Sequence, residues 1–144
     1  MRTVDVGSRL PQMSPADNEK ELAPRAILIV DDEPSIGFLL TEMLQSTGHP
    51  ILTAGSVSEA LTHLKSRPIA VLIVDVQLAG TDGIAFLQQA LEVDSRLLSI
   101  VMTGHGNIEL AVRAMKSGAA DFLTKPFEVE LVRQSVSRLL ELYR

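Results

Sequence analysis

The sequence contains no cysteine and no tryptophan. The absence of cysteine excludes disulfide bridges and thiolate metal sites, and it fits a protein of the reducing cytoplasm. One Tyr and four Phe are the only aromatic residues, too few for a surface on which bases stack. No apolar run approaches the roughly 18 residues that a membrane span needs. The N-terminus also lacks the apolar segment typical of a secretory signal.

Basic residues are outnumbered, with 13 Lys and Arg against 18 Asp and Glu, which gives a net charge of −5. A nucleic-acid-binding surface would need a basic excess, so direct contact with nucleic acid is not expected. The 144 residues, 46% of them apolar, suit one globular domain.

Residues 1–24 differ in composition from the rest of the chain. Pro11, Pro15 and Pro24 stand among polar and charged residues, and no apolar period is sustained. This pattern predicts a flexible or partly ordered N-terminal leader over 1–24 and a folded domain over 25–144.

Short β-rich runs alternate with helical patterns in the folded part. The predicted strands cover 26–30, 51–54, 69–74, 97–102 and 121–124. The third run is apolar throughout, as expected for a central parallel strand that is buried on both faces. Strands separated by helices predict an α/β fold, a parallel sheet with helices on both faces.

Several helix boundaries carry recognisable signals. Pro34 suits the first turn of the first helix, and Gly48 suits its end. Ser56 and Glu59 match a capping box, and Asn107 can cap the fourth helix.

Apolar periodicity predicts which face each helix buries. In the fourth helix Ile108, Ala111, Val112 and Met115 follow the helical spacing. The third helix is predicted over 84–91 and the last over about 128–143.

Polar residues follow the strands at their carboxyl ends, where ligands bind in open parallel sheets. Asp31 and Asp32 follow the first strand, Asp75 the third, Thr103 the fourth and Lys125 the fifth. Because these ends meet at one edge of the sheet, we expect the three carboxylates, the hydroxyl and the amine to converge.

Clustered carboxylates repel one another unless a cation joins them. Mg²⁺ prefers oxygen ligands and combines few carboxylates with a phosphate, and Lys125 adds a second positive charge. Such a site suits phosphoryl transfer, with Asp75 as the best candidate acceptor.

The ordered set of motifs resembles the receiver domain of bacterial two-component response regulators. These motifs cover 29–33, 74–76, 82–83, 102–106 and 121–127. The stretch from 102 to 128 most resembles receivers of nitrogen-control-like and nitrogen-fixation-like transcriptional regulators. The resemblance implies a flavodoxin-like (βα)5 doubly wound fold with strand order 2-1-3-4-5.

The resemblance also implies roles for individual residues. Asp75 would be the phosphoacceptor. Asp32, Asp75 and the backbone carbonyl of Gln77 would ligate Mg²⁺ directly, and Asp31 would act through a bound water. Lys125 would contact the phosphoryl group.

Three further residues have implied roles. Thr103 would also contact the phosphoryl group and would form a switch with Phe122, which turns inward. Pro126 would follow a cis peptide bond.

The implied partners are a sensor histidine kinase or phosphotransfer protein, and an output domain or downstream protein. Phosphorylation would change the surface near the fourth helix, fifth strand and fifth helix, with a phosphorylation-dependent homodimer as one form of output. The domain would catalyse its own phosphorylation and dephosphorylation without being a conventional enzyme.

Two positions depart from the usual pattern of these receivers. Ala79 stands where a proline is usual, which loosens the loop after Asp75. Phe122 stands where many relatives have tyrosine, so a switch here must work by packing alone.

Two other functions are compatible with parts of this pattern. A haloacid-dehalogenase-like phosphatase also uses an aspartyl-phosphate, but it needs a second Asp two residues after the nucleophile, where this chain has Gln77. A receiver-like interaction module that works without phosphorylation usually loses one of the acidic pair, the acceptor or the lysine, and all are present here.

Simpler roles are open to some of these residues. Asp31 and Asp32 could cap the first helix, and Phe122 could be ordinary core. His49 and His63 suit surface positions. His105 lies near the proposed site, but a plain turn is favoured for its Gly-His-Gly segment.

Overall fold

The computed structural model describes residues 24–78, 80–104 and 107–142. The main strands are β1 (Ala26–Val30), β2 (Ile51–Ala54), β3 (Ile69–Asp75), β4 (Leu98–Thr103) and β5 (Asp121–Thr124). The helices are α1 (Pro34–Leu44), α2 (Val57–Ser66), α3 (Gly83–Val93), α4 (Ile108–Lys116) and α5 (Val129–Leu142). No helix in these ranges is long and apolar enough to cross a membrane.

The five main strands form one parallel sheet in the order β2-β1-β3-β4-β5. This confirms the predicted α/β fold and its strand order. In the register of the sheet Val30 lies beside Val74, Asp75 beside Met102, and Thr103 beside Thr124. The carboxyl ends of four neighbouring strands therefore meet at one edge.

Side chains of the sheet alternate between two apolar layers. Leu28 and Val30 pack on one face, and Ile27 and Ile29 on the other. Helices α2, α3 and α4 cover the first face, whereas α1 and α5 cover the second. Strands β1 and β3 are buried along their whole length, as the unbroken apolar run of the third strand predicted.

Most of the predicted boundary signals are confirmed. Pro34 begins α1, and Gly48 adopts a left-handed conformation (φ 78°) after a short 3₁₀ turn. The side chain of Ser56 accepts a hydrogen bond from the backbone N–H of Glu59 (3.2 Å). The prediction for Asn107 was wrong in its detail, since it precedes α4 but its side chain makes no capping hydrogen bond.

The predicted buried face of α4 was wrong at every residue except Ala111. Ala111 and Ala114 face the sheet, while Ile108, Val112 and Met115 are exposed. Apolar spacing identifies a helix, but it does not tell which of two apolar stripes packs inward. Here the close approach of α4 to the sheet favours the stripe of small residues.

The described residues include a short hairpin that the sequence did not predict. Residues Gln77–Leu78 and Thr81–Asp82 form a two-stranded antiparallel hairpin between β3 and α3. Ala79 lies within this connection but outside the described residues, as do His105, the predicted end of the last helix at Tyr143, and the leader up to residue 23. Helix α3 begins directly after the hairpin, at Gly83.

Gly83 packs against the backbone at the end of β3. A Cβ atom at this position would overlap the carbonyl oxygen of Asp75 and lie 2.6 Å from the Cα of Val76. Because both neighbours are backbone atoms of the sheet and of its exit, no side chain can move aside to make room.

We expect Gly83→Ala to lower the free energy of unfolding by roughly 3 kcal/mol, since overpacking against fixed backbone is costly. Urea denaturation of the two proteins measures the loss. The matched control is Gly55→Ala, where the nearest atom to the new Cβ is a side-chain oxygen of Glu59 at 3.6 Å. Equal stability of the two variants would contradict the steric argument.

Candidate functional site

Four strand ends deliver the polar residues of the site. Asp31 follows β1, Asp75 ends β3, Thr103 ends β4 and Lys125 follows β5. The backbone N–H of Lys125 donates to the carbonyl oxygen of Thr103 (2.9 Å), which continues the parallel pairing past the end of β5. The predicted convergence of these residues thus has a direct structural cause in the strand register.

Three carboxylates lie together at this edge. One oxygen atom from each of Asp31, Asp32 and Asp75 falls within 4.8 Å of the others. Asp31 and Asp75 are buried, whereas Asp32 is exposed. The group therefore opens to solvent on the side of Asp32.

Lys125 joins the two buried carboxylates. Its Nζ atom lies 2.7 Å from Oδ2 of Asp31 and 2.8 Å from Oδ2 of Asp75. Burial of Lys125 favours its neutral form, but its hydrogen bonds to the two carboxylates outweigh burial and raise the pKa of Lys125 above its usual value. The ammonium group is therefore charged at neutral pH.

Asp31 has the opposite balance. Burial raises the pKa of the Asp31 carboxyl above its usual value, although its hydrogen bonds to Lys125 and to the backbone N–H of Glu33 work against that shift. At Asp31 the effect of burial on the pKa therefore exceeds the stabilisation of the carboxylate by Lys125 and the backbone.

Backbone N–H groups fix the orientation of both buried carboxylates. Oδ1 of Asp75 accepts from the N–H of Gln77 (2.8 Å), and Oδ1 of Asp31 accepts from the N–H of Glu33 (2.9 Å). Each carboxylate thus receives one backbone and one lysine hydrogen bond. Asp31 orders the turn before α1 in this way, but Glu33 occupies the N-cap position, so neither aspartate caps the helix with its side chain.

The donor set fits a hard divalent cation. Three carboxylates face a single ammonium group, which leaves an excess of negative charge that a small dication can offset. The exposed Asp32 makes no ion pair with any described residue, so its oxygens are available to a metal ion.

Thr103 and Phe122 were predicted to act as a pair. The hydroxyl of Thr103 is fully buried and has no hydrogen-bond partner among the described residues. Phe122 lies in register with Val101 on the edge strand β5, and 43% of its surface is exposed. The structure brings Thr103 to the end of β4 beside Lys125, but it leaves Phe122 outside the acidic group.

The peptide bond between Lys125 and Pro126 is cis.

Glu33 is a residue of the site that the sequence did not predict: its Oε1 lies 3.9 Å from Nζ of Lys125. A signal was present, because Glu33 directly follows the acidic pair in the loop after β1.

Comparison with known proteins gives a consistent result. A family profile described as "Response regulator receiver domain" matches residues 27–137. The chain is 37% identical to the C4-dicarboxylate transport transcriptional regulatory protein DctD of Pseudomonas aeruginosa, over 85% of the chain and 26% of that protein. It is 37% identical to the nitrogen assimilation regulatory protein NtrX of Azorhizobium caulinodans, over 82% of the chain and 26% of that protein. The chain thus spans about a quarter of the length of these relatives.

Solved structures agree with this assignment. The receiver domain of NtrX from Brucella abortus matches with a TM-score of 0.76 and 37% identity, over 80% of this chain and 98% of that one. The beryllofluoride-activated NtrC4 receiver domain dimer matches with a TM-score of 0.77 and 36% identity, over 83% of this chain and 98% of that one. The chain therefore belongs to the response regulator receiver domains, the phosphoacceptor domains of two-component signalling.

Proposed function

We propose that this domain accepts a phosphoryl group on Asp75 from the phosphohistidine of a sensor histidine kinase or phosphotransfer protein. The observation that carries the assignment is the Lys125 bridge, which places an ammonium group 2.8 Å from a carboxylate that is buried at the end of the central strand. Asp31 and Asp32 complete the acidic group on one side of Asp75.

Receiver domains generally bind Mg²⁺ at an acidic pocket, and the acidic group of this chain fits that ion. We assign Asp32, Asp75 and the backbone carbonyl of Gln77 as direct ligands, and Asp31 as a ligand through water. When bound, Mg²⁺ supplies positive charge that stabilises the phosphoryl group during transfer.

The protein's own groups hold the proposed acceptor in position. Asp75 is held by the N–H of Gln77 at one oxygen and by Lys125 at the other, so little motion is needed before attack on phosphorus. Lys125 then shares its charge between the new acyl phosphate and Asp31. Positioning and charge stabilisation are the main contributions that phosphoryl transfer requires from a protein.

Thr103 and Phe122 are proposed to report the phosphoryl group to the surface. The Thr103 hydroxyl lacks a partner in the present state, so a phosphoryl oxygen would offer it a first hydrogen bond. Movement of Thr103 would leave space for the ring of Phe122, which is now exposed on β5. The resulting change would appear at α4, β5 and α5.

The proposals for the output and the assembly of this domain are based on its relatives. The DctD and NtrX proteins are named as transcriptional or nitrogen assimilation regulators, and this chain matches only a quarter of each. We propose that residues 25–144 act as the regulatory domain of such a protein, or on a separate target. A homodimer formed on phosphorylation is proposed from the activated receiver dimer. No specific observation favours an interaction module that works without phosphorylation.

Incubation with acetyl phosphate and Mg²⁺ should add one phosphoryl group, measured as intact mass, and a chelator should prevent the gain. Asp75→Asn should abolish it because the acceptor oxygen is lost. Asp94→Asn, which alters an aspartate after α3, should be phosphorylated like the parent protein. A folded parent protein that gains no mass would disprove the assignment, and an Asp75→Asn variant that still gains mass would move the acceptor to another residue.

Removal of the Lys125 ammonium group should destabilise the metal-free protein. We expect Lys125→Met to lose about 2 kcal/mol of unfolding free energy at neutral pH, because two carboxylates would remain buried without a positively charged partner. Burial already raises the pKa of Asp31, and loss of the ammonium group would raise it further, so the folded state would bind a proton more tightly than the unfolded state and stability would fall as pH rises through and above the usual carboxyl pKa.

Denaturant melts of Lys125→Met at pH 5 and pH 7 test this prediction, and the loss should be larger at pH 7. Lys116→Met is the matched control, since Lys116 lies at the end of α4 and makes no ion pair with the described residues. A loss that is the same at both pH values would argue that packing of the lysine stem, and not its charge, accounts for the effect.

The buried hydroxyl of Thr103 should cost stability in the unphosphorylated state. Thr103→Val is expected to raise the free energy of unfolding by about 1 kcal/mol, because it removes an unpaired polar group at nearly constant shape. Thr124→Val at the exposed neighbouring strand end should give no such gain. Chemical denaturation measures both. Destabilisation by Thr103→Val alone would mean that its hydroxyl already has a partner.

A further inference from the structure

Glu33 stands at the solvent side of the lysine bridge. Its side chain is 66% exposed, and its Oε1 lies 3.9 Å from Nζ of Lys125, whose contacts with Asp31 and Asp75 are more than 1 Å shorter. The backbone N–H of Glu33 donates to Asp31, so the backbone of this residue is held at the start of α1 while its side chain is exposed to solvent.

Glu33 is the fourth carboxylate around a single ammonium group. Asp31, Asp32 and Asp75 form the group to which we assign Mg²⁺, and Glu33 lies outside it. One dication and one lysine offset three of the four negative charges. One negative charge remains at the solvent side of the site, which we call its mouth, and an incoming phosphoryl donor meets this charge.

We propose that Glu33 is a specificity-determining residue that disfavours free, small phosphoryl donors. This inference rests on the proposed phosphoacceptor role of Asp75. A small donor is an anion that must approach the mouth against the Glu33 carboxylate. A phosphohistidine on a partner protein arrives with the contacts of two docked surfaces, and this remote binding free energy offsets the same repulsion. Glu33 thereby favours transfer from a protein over transfer from free metabolites.

Two small donors of different charge allow a direct test. With acetyl phosphate, a dianion, an oxygen of Asp75 bonds to phosphorus as the bond to the acetyl oxygen breaks, and acetate leaves. With phosphoramidate, a monoanion with an ammonium nitrogen, the same attack breaks the P–N bond and neutral ammonia leaves with the protons it already carries. Repulsion by Glu33 should therefore act more strongly on acetyl phosphate.

The experiment measures the rate of mass gain against donor concentration for the full chain, at Mg²⁺ concentrations shown by titration to saturate each variant. Glu33→Gln should raise the second-order rate constant for acetyl phosphate about threefold at low ionic strength, the size expected for a screened charge several ångströms away. The gain should lie in the apparent KM, leave the rate at saturating donor unchanged, be smaller for phosphoramidate and shrink as salt is added.

Two variants serve as controls. Glu33→Asp keeps the charge but shortens the reach toward Lys125, so it should behave like the parent protein. If Glu33→Asp speeds the reaction as Glu33→Gln does, the lysine contact and not the charge is responsible, and the proposal fails. Glu42→Gln makes the same charge change two turns further along α1 and should have no effect.

The outcomes separate this inference from the proposed function. If the parent protein gains no phosphoryl group, the phosphoacceptor role is wrong and the role of Glu33 falls with it. If the parent protein is phosphorylated but Glu33→Gln is no faster, or is equally faster with both donors and at all salt concentrations, only the role of Glu33 is wrong.

Discussion

The contact of one lysine with two buried carboxylates is the interaction on which the site depends. Asp31 follows β1 and Asp75 ends β3, which are neighbours in the sheet. Lys125 follows the edge strand β5, two positions away from β3. Burying two like charges is unfavourable, and burial raises the pKa of Asp31 despite its hydrogen bond to Lys125. The site is therefore built with an excess of negative charge, which a metal ion can offset.

The register of the parallel sheet brings the residues of the site together. Its register aligns the carboxyl ends of β1, β3, β4 and β5, so residues far apart in sequence meet without long connecting loops. Backbone N–H groups just past the strand ends hold the carboxylates, and Gly83 lets the chain turn away beneath Asp75. The position of the acceptor is thus fixed mainly by backbone, which few side-chain substitutions can disturb.

Much of this could be predicted from the sequence, because alternation of apolar runs and helical patterns has few topological solutions. The strand order and three of the five strand ranges agree with the structure, while β3 extends one residue further, to Asp75, and β4 is shifted by one residue, so that it ends at Thr103. Three features could not be predicted from the sequence. The hairpin of residues 77–82 has no periodic pattern, the stripe that α4 buries depends on tertiary packing, and the contact of Glu33 with Lys125 depends on side-chain direction.

The small residues beneath α4 have a consequence for the motion of this helix. The buried residues of α4 are Ala111 and Ala114, and Leu110 packs against the core only in part, whereas α5 buries branched side chains such as Val132 and Leu139. Because two methyl groups interlock little with the sheet, displacement of α4 exposes little apolar area. Among the described helices, α4 is the one whose buried residues are all alanine, so we expect its displacement to cost the least free energy. The free energy of a single hydrogen bond, rearranged at the adjacent end of β4, is of the right size to bias the position of α4.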